Sequence, residues 1–273
     1  MSTAPPRPVP PRPAPARPDR PGTSGRAARL VAPLTGTAVA VVLWWLVTTP
    51  LAAPDSMLRA FAPQHAVPAI GALAADGVLW EDIATSLWRL LLGLLVAGVL
   101  GVAIGLAVGS SALLEQGTRP VFQFLRMVSP LAWAPVAIGV FGIGHRPVVF
   151  LVAAAAVWPI VLNVVAGVRA VDPKLTLVAR SLGASRRETL VTVVLPTVRP
   201  HLLTGVRLAL GIGWVVLVPA EMLGVTSGLG YEILNSRDQL AYDKVMAVIL
   251  VIGALGYALD AAARRLLGAP ATG

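Results

Sequence analysis

Long uncharged stretches separated by short charged segments make up the chain from Leu30 onward. Leu30 to Leu51 is 22 residues without a charge, Leu90 to Gly109 is 20, Met127 to Gly144 is 18 and Pro147 to Val168 is 22. Each is close to the roughly 20 residues with which an α-helix crosses a bilayer. Two weaker runs follow, 202–220 with Arg207 and 245–263 with Asp260, whose charges lie near an end and can reach the interface. The pattern predicts an all-α, polytopic membrane protein with six transmembrane helices, because hydrocarbon admits only segments that satisfy their own backbone hydrogen bonds.

Composition agrees. Apolar residues are 56% of the chain and charged ones 13%, against about a quarter charged in an average soluble domain. That excludes a water-soluble globule. Residues 1–29 differ from the rest: nine prolines, six arginines and no apolar run predict a disordered arm that neither buries a core nor continues a helix. A secretory signal would place its apolar stretch earlier and end in a small-residue cleavage site, so the arm is expected to stay attached. Residues 30–273 are then the membrane domain.

Charge sets the orientation. Six crossings put both termini on one side, and the positive-inside rule makes that side cytoplasmic. On this assignment 17 of the 22 Lys and Arg face inward, among them Arg119 and Arg126, and eight of the 13 acids face outward. The net charge of +9 is explained by topology and anionic lipid, with no need for nucleic acid. Two segments are longer than plain connections. The outer one, 52–86, predicts a short interfacial helix before the second span. The inner one, 169–201, predicts two short helices around Gly183, the second ended by Pro196.

Several chemistries are absent from the sequence. No cysteine is present, which removes thiolate nucleophiles and thiolate metal sites. Lys174 follows Pro173 and Lys244 follows Asp243, so neither lysine can close a glycine-rich phosphate loop. The chain is therefore expected not to be an enzyme, and any ATP hydrolysis falls to another subunit. His65, His145 and His201 stand in three separate segments, better read as solvated loop residues than as metal ligands. Gly93, Ala97, Gly101, Gly105 and Gly109 recur every fourth residue and form a helix face on which another backbone can approach closely. Spacing alone leaves open whether that partner is in this chain or in another.

The inner segment carries the most specific motif, Val178-Ala179-Arg180-Ser181-Leu182-Gly183-Ala184-Ser185, then Val193-Val194-Leu195-Pro196. It resembles the cytoplasmic signature of the permease subunits of ABC importers: Glu-Ala-Ala, three residues, Gly, nine residues, Ile, one residue, Leu-Pro. Ala179, Gly183, Leu195 and Pro196 match in full register and Val193 replaces Ile. Leu177 and Val178 stand where the family has Glu and its first Ala. From about Gly71 to Gly268 the chain is similar to the sulfonate, nitrate and taurine branch, through Ser86-Leu87-Trp88-Arg89, Leu131-Ala132-Trp133-Ala134-Pro135, Ala220-Glu221-Met222-Leu223 and Ser227-Gly228-Leu229-Gly230-Tyr231.

The resemblance implies a type I importer permease in a bacterial plasma (inner) membrane, paired with a second copy of itself. It also implies partner ATP-binding cassette subunits that hold ATP and magnesium, and an extracytoplasmic solute-binding protein. Ala179, Gly183, Ala184, Leu195 and Pro196 would couple to the ATPase. The solute would be a small sulfonate, taurine, nitrate or similar. For its path the sequence offers Trp133, Asn163, Trp214 and Glu221. The competing readings are packing for the two tryptophans, an interhelical hydrogen bond for Asn163 and plain solvent exposure for Glu221. An ion-gradient-driven secondary transporter is the alternative class, but it calls for ionisable residues at the midplane of repeated halves. The four charge-free spans contain no acid.

Overall fold

The computed structural model describes residues 24–53 and 55–267, with side chains from Leu34 onward. Among the described residues the chain is helical and has no strand. The proposed arm, 1–29, lies outside them except for its last six residues, which already belong to the first helix, α1 (Ser24–Thr48). Trp44 at the far end of α1 donates its indole N–H to the Phe61 carbonyl at 3.0 Å, in a tight turn over Met57–Phe61 that Ser56 caps. The interfacial helix expected before the second span is α2 (Pro63–Ala75).

Helix α3 (Val78–Gly109) starts well before the uncharged run, so Glu81, Asp82, Ser86 and Arg89 lie on the helix and not in a loop. Helix α4 (Ala112–Met127) follows after a two-residue turn, capped by Ser111. The span expected over 127–144 is not one helix. Val128 and Ser129 are extended ahead of Pro130, as proline sterics favour, and α4 meets the stretch Pro130–Phe141, which contains α5 (Ala134–Phe141), at 87°.

Helix α6 (His145–Arg169) is the centre of the bundle. The small-residue stripe of α3 lies directly on it: Gly93 faces Val152, Gly101 faces Ile160, Gly105 faces Val164 and Gly109 faces Val168. The stripe is thus an interface within one chain. Both residue numbers rise together, so α3 and α6 run parallel, and the bent pair between them must carry the chain back across the bundle. On its other face α6 packs antiparallel to α9 (Leu195–Glu221), with Gly167 against Val198 and His201, and Asn163 against Gly205. His201 is accordingly a half-buried helix residue and not a loop histidine.

Between α6 and α9 come α7 (Pro173–Ser181) and α8 (Arg186–Thr189). Pro196 does not end the second of these. The helix continues from Arg186 to Glu221 through a π turn at Leu190–Val194, in which the Leu195 N–H reaches back five residues to the Leu190 carbonyl. This wider winding accommodates a residue that has no N–H and whose ring crowds the carbonyl four positions earlier. After α9 come α10 (Leu229–Asp238) and α11 (Tyr242–Leu267), and α2 closes on α11 through Ala69, Leu73, Ala247 and Val248. Among the described residues four helices are long and apolar enough to span a membrane, or five with the bent pair taken as one, and the described apolar part of α1, Leu34–Thr48, is shorter.

Candidate functional site

Two constructions mark opposite ends of the α3–α6–α9 core. At the end that carries the 169–201 segment, α7 stops in a Schellman turn: the Ala184 N–H bonds the Ala179 carbonyl and the Gly183 N–H bonds the Arg180 carbonyl, both at 3.0 Å. Gly183 has φ +83°, the left-handed conformation that such a turn requires and that side chains with a Cβ resist. Ser185 then caps α8, accepting from the Glu188 N–H at 3.2 Å while Glu188 accepts from the Ser185 N–H at 2.7 Å. No residue therefore separates the end of one cap, Ala184, from the start of the next, Ser185.

Ala179, Gly183 and Ala184 are the structural positions of this turn. Leu195 and Pro196 sit a helix segment away, just beyond the π turn. Around the turn the loop presents large apolar side chains to the outside: Leu182 is 82% exposed, and Leu175, Leu177 and Val178 are exposed on α7.

At the other end lies a buried polar network. Glu221, expected at the sequence level to be solvent-exposed or to line the path, is 0% exposed. Its carboxylate accepts from Arg89 Nη1 at 2.7 Å, from Ser86 Oγ and from the Gly230 N–H at 3.0 Å. Arg89 spends its other donors on the Ser227 carbonyl, Ser227 Oγ and His145 Nδ1. Asp82 accepts from the Gly228 N–H at 2.6 Å. A Cβ on Gly228 would lie 2.5 Å from Glu221 Oε1, so only glycine lets the loop come this close. The network ties α3, α6, α9 and the start of α10 together.

Sequence reasoning missed this network, although all its members but Asp82 and His145 stand in three of the tracts that carried the resemblance. The available signal was an unlike pair, Arg89 and Glu221, each at the edge of an apolar run, since ionisable groups at membrane depth pair with one another.

The remaining path candidates do not converge. Trp133 lines an open cavity of about 530 Å³ with Arg126, Phe150, Ala154, Trp158 and Ile212. The Asn163 amide donates to the Pro159 carbonyl of its own helix at 2.8 Å, so its bond is not interhelical. Trp214 packs against Gly256 of α11. Among the described residues no group of three His, Asp or Glu is placed to hold a metal ion.

Residues 90–267 match the family described as binding-protein-dependent transport system inner membrane component. The chain belongs to that family. This permease is 35% identical to the taurine transport system permease protein of Escherichia coli (strain K12) over 88% of each chain. It is 36% identical to the nitrate import permease protein of Leptolyngbya laminosa, over 68% of this chain and 66% of that one. To the bicarbonate transport system permease protein of Synechococcus elongatus (strain ATCC 33912 / PCC 7942 / FACHB-805) it is 37% identical, over 67% and 66%. The permease fold is also that of a chain of an inward-facing MetNI methionine ABC transporter, with a TM-score of 0.56 at 20% identity over 70% of this chain and 97% of that one. Members of this family are membrane permeases and not themselves catalytic.

Proposed function

We propose that this permease pairs with a second copy in a bacterial plasma membrane and imports a small anionic or zwitterionic solute, of the sulfonate, taurine, nitrate or bicarbonate kind. A solute-binding protein delivers the solute outside, and two ATP-binding cassette subunits, which hold ATP and magnesium, drive the cycle from the cytoplasm. The observation that carries this reading is the capped turn at Gly183. It is rigid, it is fringed by exposed leucines on a basic loop, and it feeds straight into a helix that runs the depth of the bundle. An ATPase gripping Leu182 and its neighbours would move α9 as one body, and α9 packs along α6. The solute class rests on the named relatives, each of which handles a small anion or zwitterion.

The test is uptake of labelled taurine, nitrate and bicarbonate into reconstituted vesicles that hold the permease with its co-purifying ATPase, with ATP supplied on the ATPase side and the solute-binding protein on the opposite side. Uptake of at least one should require ATP and survive collapse of the ion gradients. Gradient-driven uptake without ATP would establish the secondary-transporter reading in its place.

A further inference from the structure

The amphipathic helix α4 has no explanation in the fold described so far. Gln116, Arg119, Gln123 and Arg126 recur at three- and four-residue spacing and so form one polar stripe along it. Sequence position assigned both arginines to the cytoplasmic side. The structure places them deeper. Glu115, in the first turn of α4, pairs with Arg169 at the last residue of α6. Two turns on, the Phe122 ring lies 5.4 Å from Trp158, at the middle of α6. Arg126, one turn further, lines the cavity that Trp133, Phe150, Ala154 and Trp158 enclose. Helix α4 thus climbs along α6 from its inner end to mid-depth, and Arg126 sits where a membrane span is normally apolar.

A guanidinium at that depth needs a counter-charge or water. Among the described residues neither Arg119 nor Arg126 forms an ion pair, and the acid nearest along the helix, Glu115, is already taken by Arg169. Arg126 is the only charged side chain on the wall of a cavity otherwise lined by aliphatic and aromatic groups and a few prolines. That combination, one exposed planar cation above an apolar floor, suits a solute with an anionic oxygen head and little else to hydrogen-bond.

We propose that Arg126 is the anion-selecting residue of the solute path, that its ligand is a small sulfonate, carboxylate or oxyanion, and that Arg119 extends the positive track toward the inner end. This deepens the importer reading and rests on it. Trp133, taken from the sequence as a path residue, keeps that place as the apolar wall beside Arg126. Asn163, Trp214 and Glu221 stand apart from this cavity and leave the proposed path.

Trp133 and Trp158 face the same cavity, so a background that keeps these two and carries Phe at the chain's five other tryptophans reports which solutes enter it. The full-length permease, assembled with its ATPase in nanodiscs, is titrated with iodide as an anionic quencher and with acrylamide as a neutral one. Arg126→Gln should lower the iodide quenching constant at least about twofold, because a cavity with one sign of charge concentrates counter-ions. Acrylamide quenching should stay unchanged. Arg126→Lys, which keeps the charge, should keep the iodide constant. An iodide constant unaltered by Arg126→Gln overturns the proposal. So does an equal fall in the Gln and Lys variants, which would mark a packing role or a counter-charge supplied by the second copy. Quenching needs no turnover, so the two readings fail separately. Loss of the iodide effect with ATP-driven uptake intact removes the site alone. A normal iodide effect without any ATP-driven uptake removes the importer reading alone.

Discussion

Arg89 and Glu221, 132 residues apart in the chain, meet at 2.7 Å with side chains 1% and 0% exposed. One stands on α3 and the other ends α9, and between them they hold the loop at Ser227 and Gly228 against the bundle. Every side-chain nitrogen of Arg89 and both carboxylate oxygens of Glu221 have a partner, which is the condition under which two buried charges are tolerated.

Removing one partner should therefore cost far more than removing both. Glu221→Ala leaves a guanidinium buried without its carboxylate, at a cost on the order of 3–5 kcal/mol. Thermal unfolding of the detergent-solubilised permease, followed by monodisperse recovery on size exclusion, measures it. The double change Arg89→Met with Glu221→Leu should recover most of the loss. A double variant as unstable as the single would show that the network holds the loop through its hydrogen bonds and not through charge.

At Gly183 the backbone conformation is the constraint, because a Cβ there would meet nothing within 4 Å. Gly183→Val should thus be strained locally by about 1–3 kcal/mol, while Gly183→Asn, a residue that enters the left-handed region readily, should be close to wild type. Both variants should insert at normal abundance, and only the Val variant should lose the ATPase on co-purification or lose stimulated hydrolysis. Normal coupling by Gly183→Val at equal abundance would leave the turn as a topological anchor.

Along α3 the outcome depends on which face a glycine occupies. Gly105→Ala puts a methyl about 2.6 Å from the Val164 Cβ, overpacking worth about 1–3 kcal/mol, and Val164→Ala, which keeps that Cβ, should restore only part of it. Gly98, off the stripe with nothing within 4 Å, should accept alanine with no loss of stability. Equal sensitivity at Gly98 and Gly105 in the same thermal assay would count against the α3–α6 interface.

Orientation can be read with single cysteines, since the chain has none of its own. Ser181 on the inner loop and Thr226 beside the buried network are both exposed. They are better probes than Ser185 and Ser227, whose hydroxyls cap α8 and bind Arg89. An impermeant thiol reagent applied to intact cells should label Thr226→Cys and spare Ser181→Cys. Labelling of both, or of Ser181→Cys alone, would invert or break the assigned topology.

What a single strand of residues can determine is what depends on neighbours in the chain. Uncharged runs identified the cores of α3, α6, α9 and α11, because hydrocarbon acts on each segment separately. The Ala179–Gly183–Ala184 spacing identified the capped turn, because a Schellman motif closes within six residues. The fourfold spacing in α3 identified a packing face, because helical periodicity is local. Contacts between segments far apart in sequence were not legible. Only the packed structure decided that the stripe of α3 faces α6 in the same chain, and that Glu221 is sealed against Arg89. It also decided that the run after Met127 bends through 87° at Pro130, and that Arg126 lies beside the middle of α6. Each of those depends on where one helix stops against another, and the stopping point is set by side-chain volume and by hydrogen-bond partners tens to hundreds of residues away.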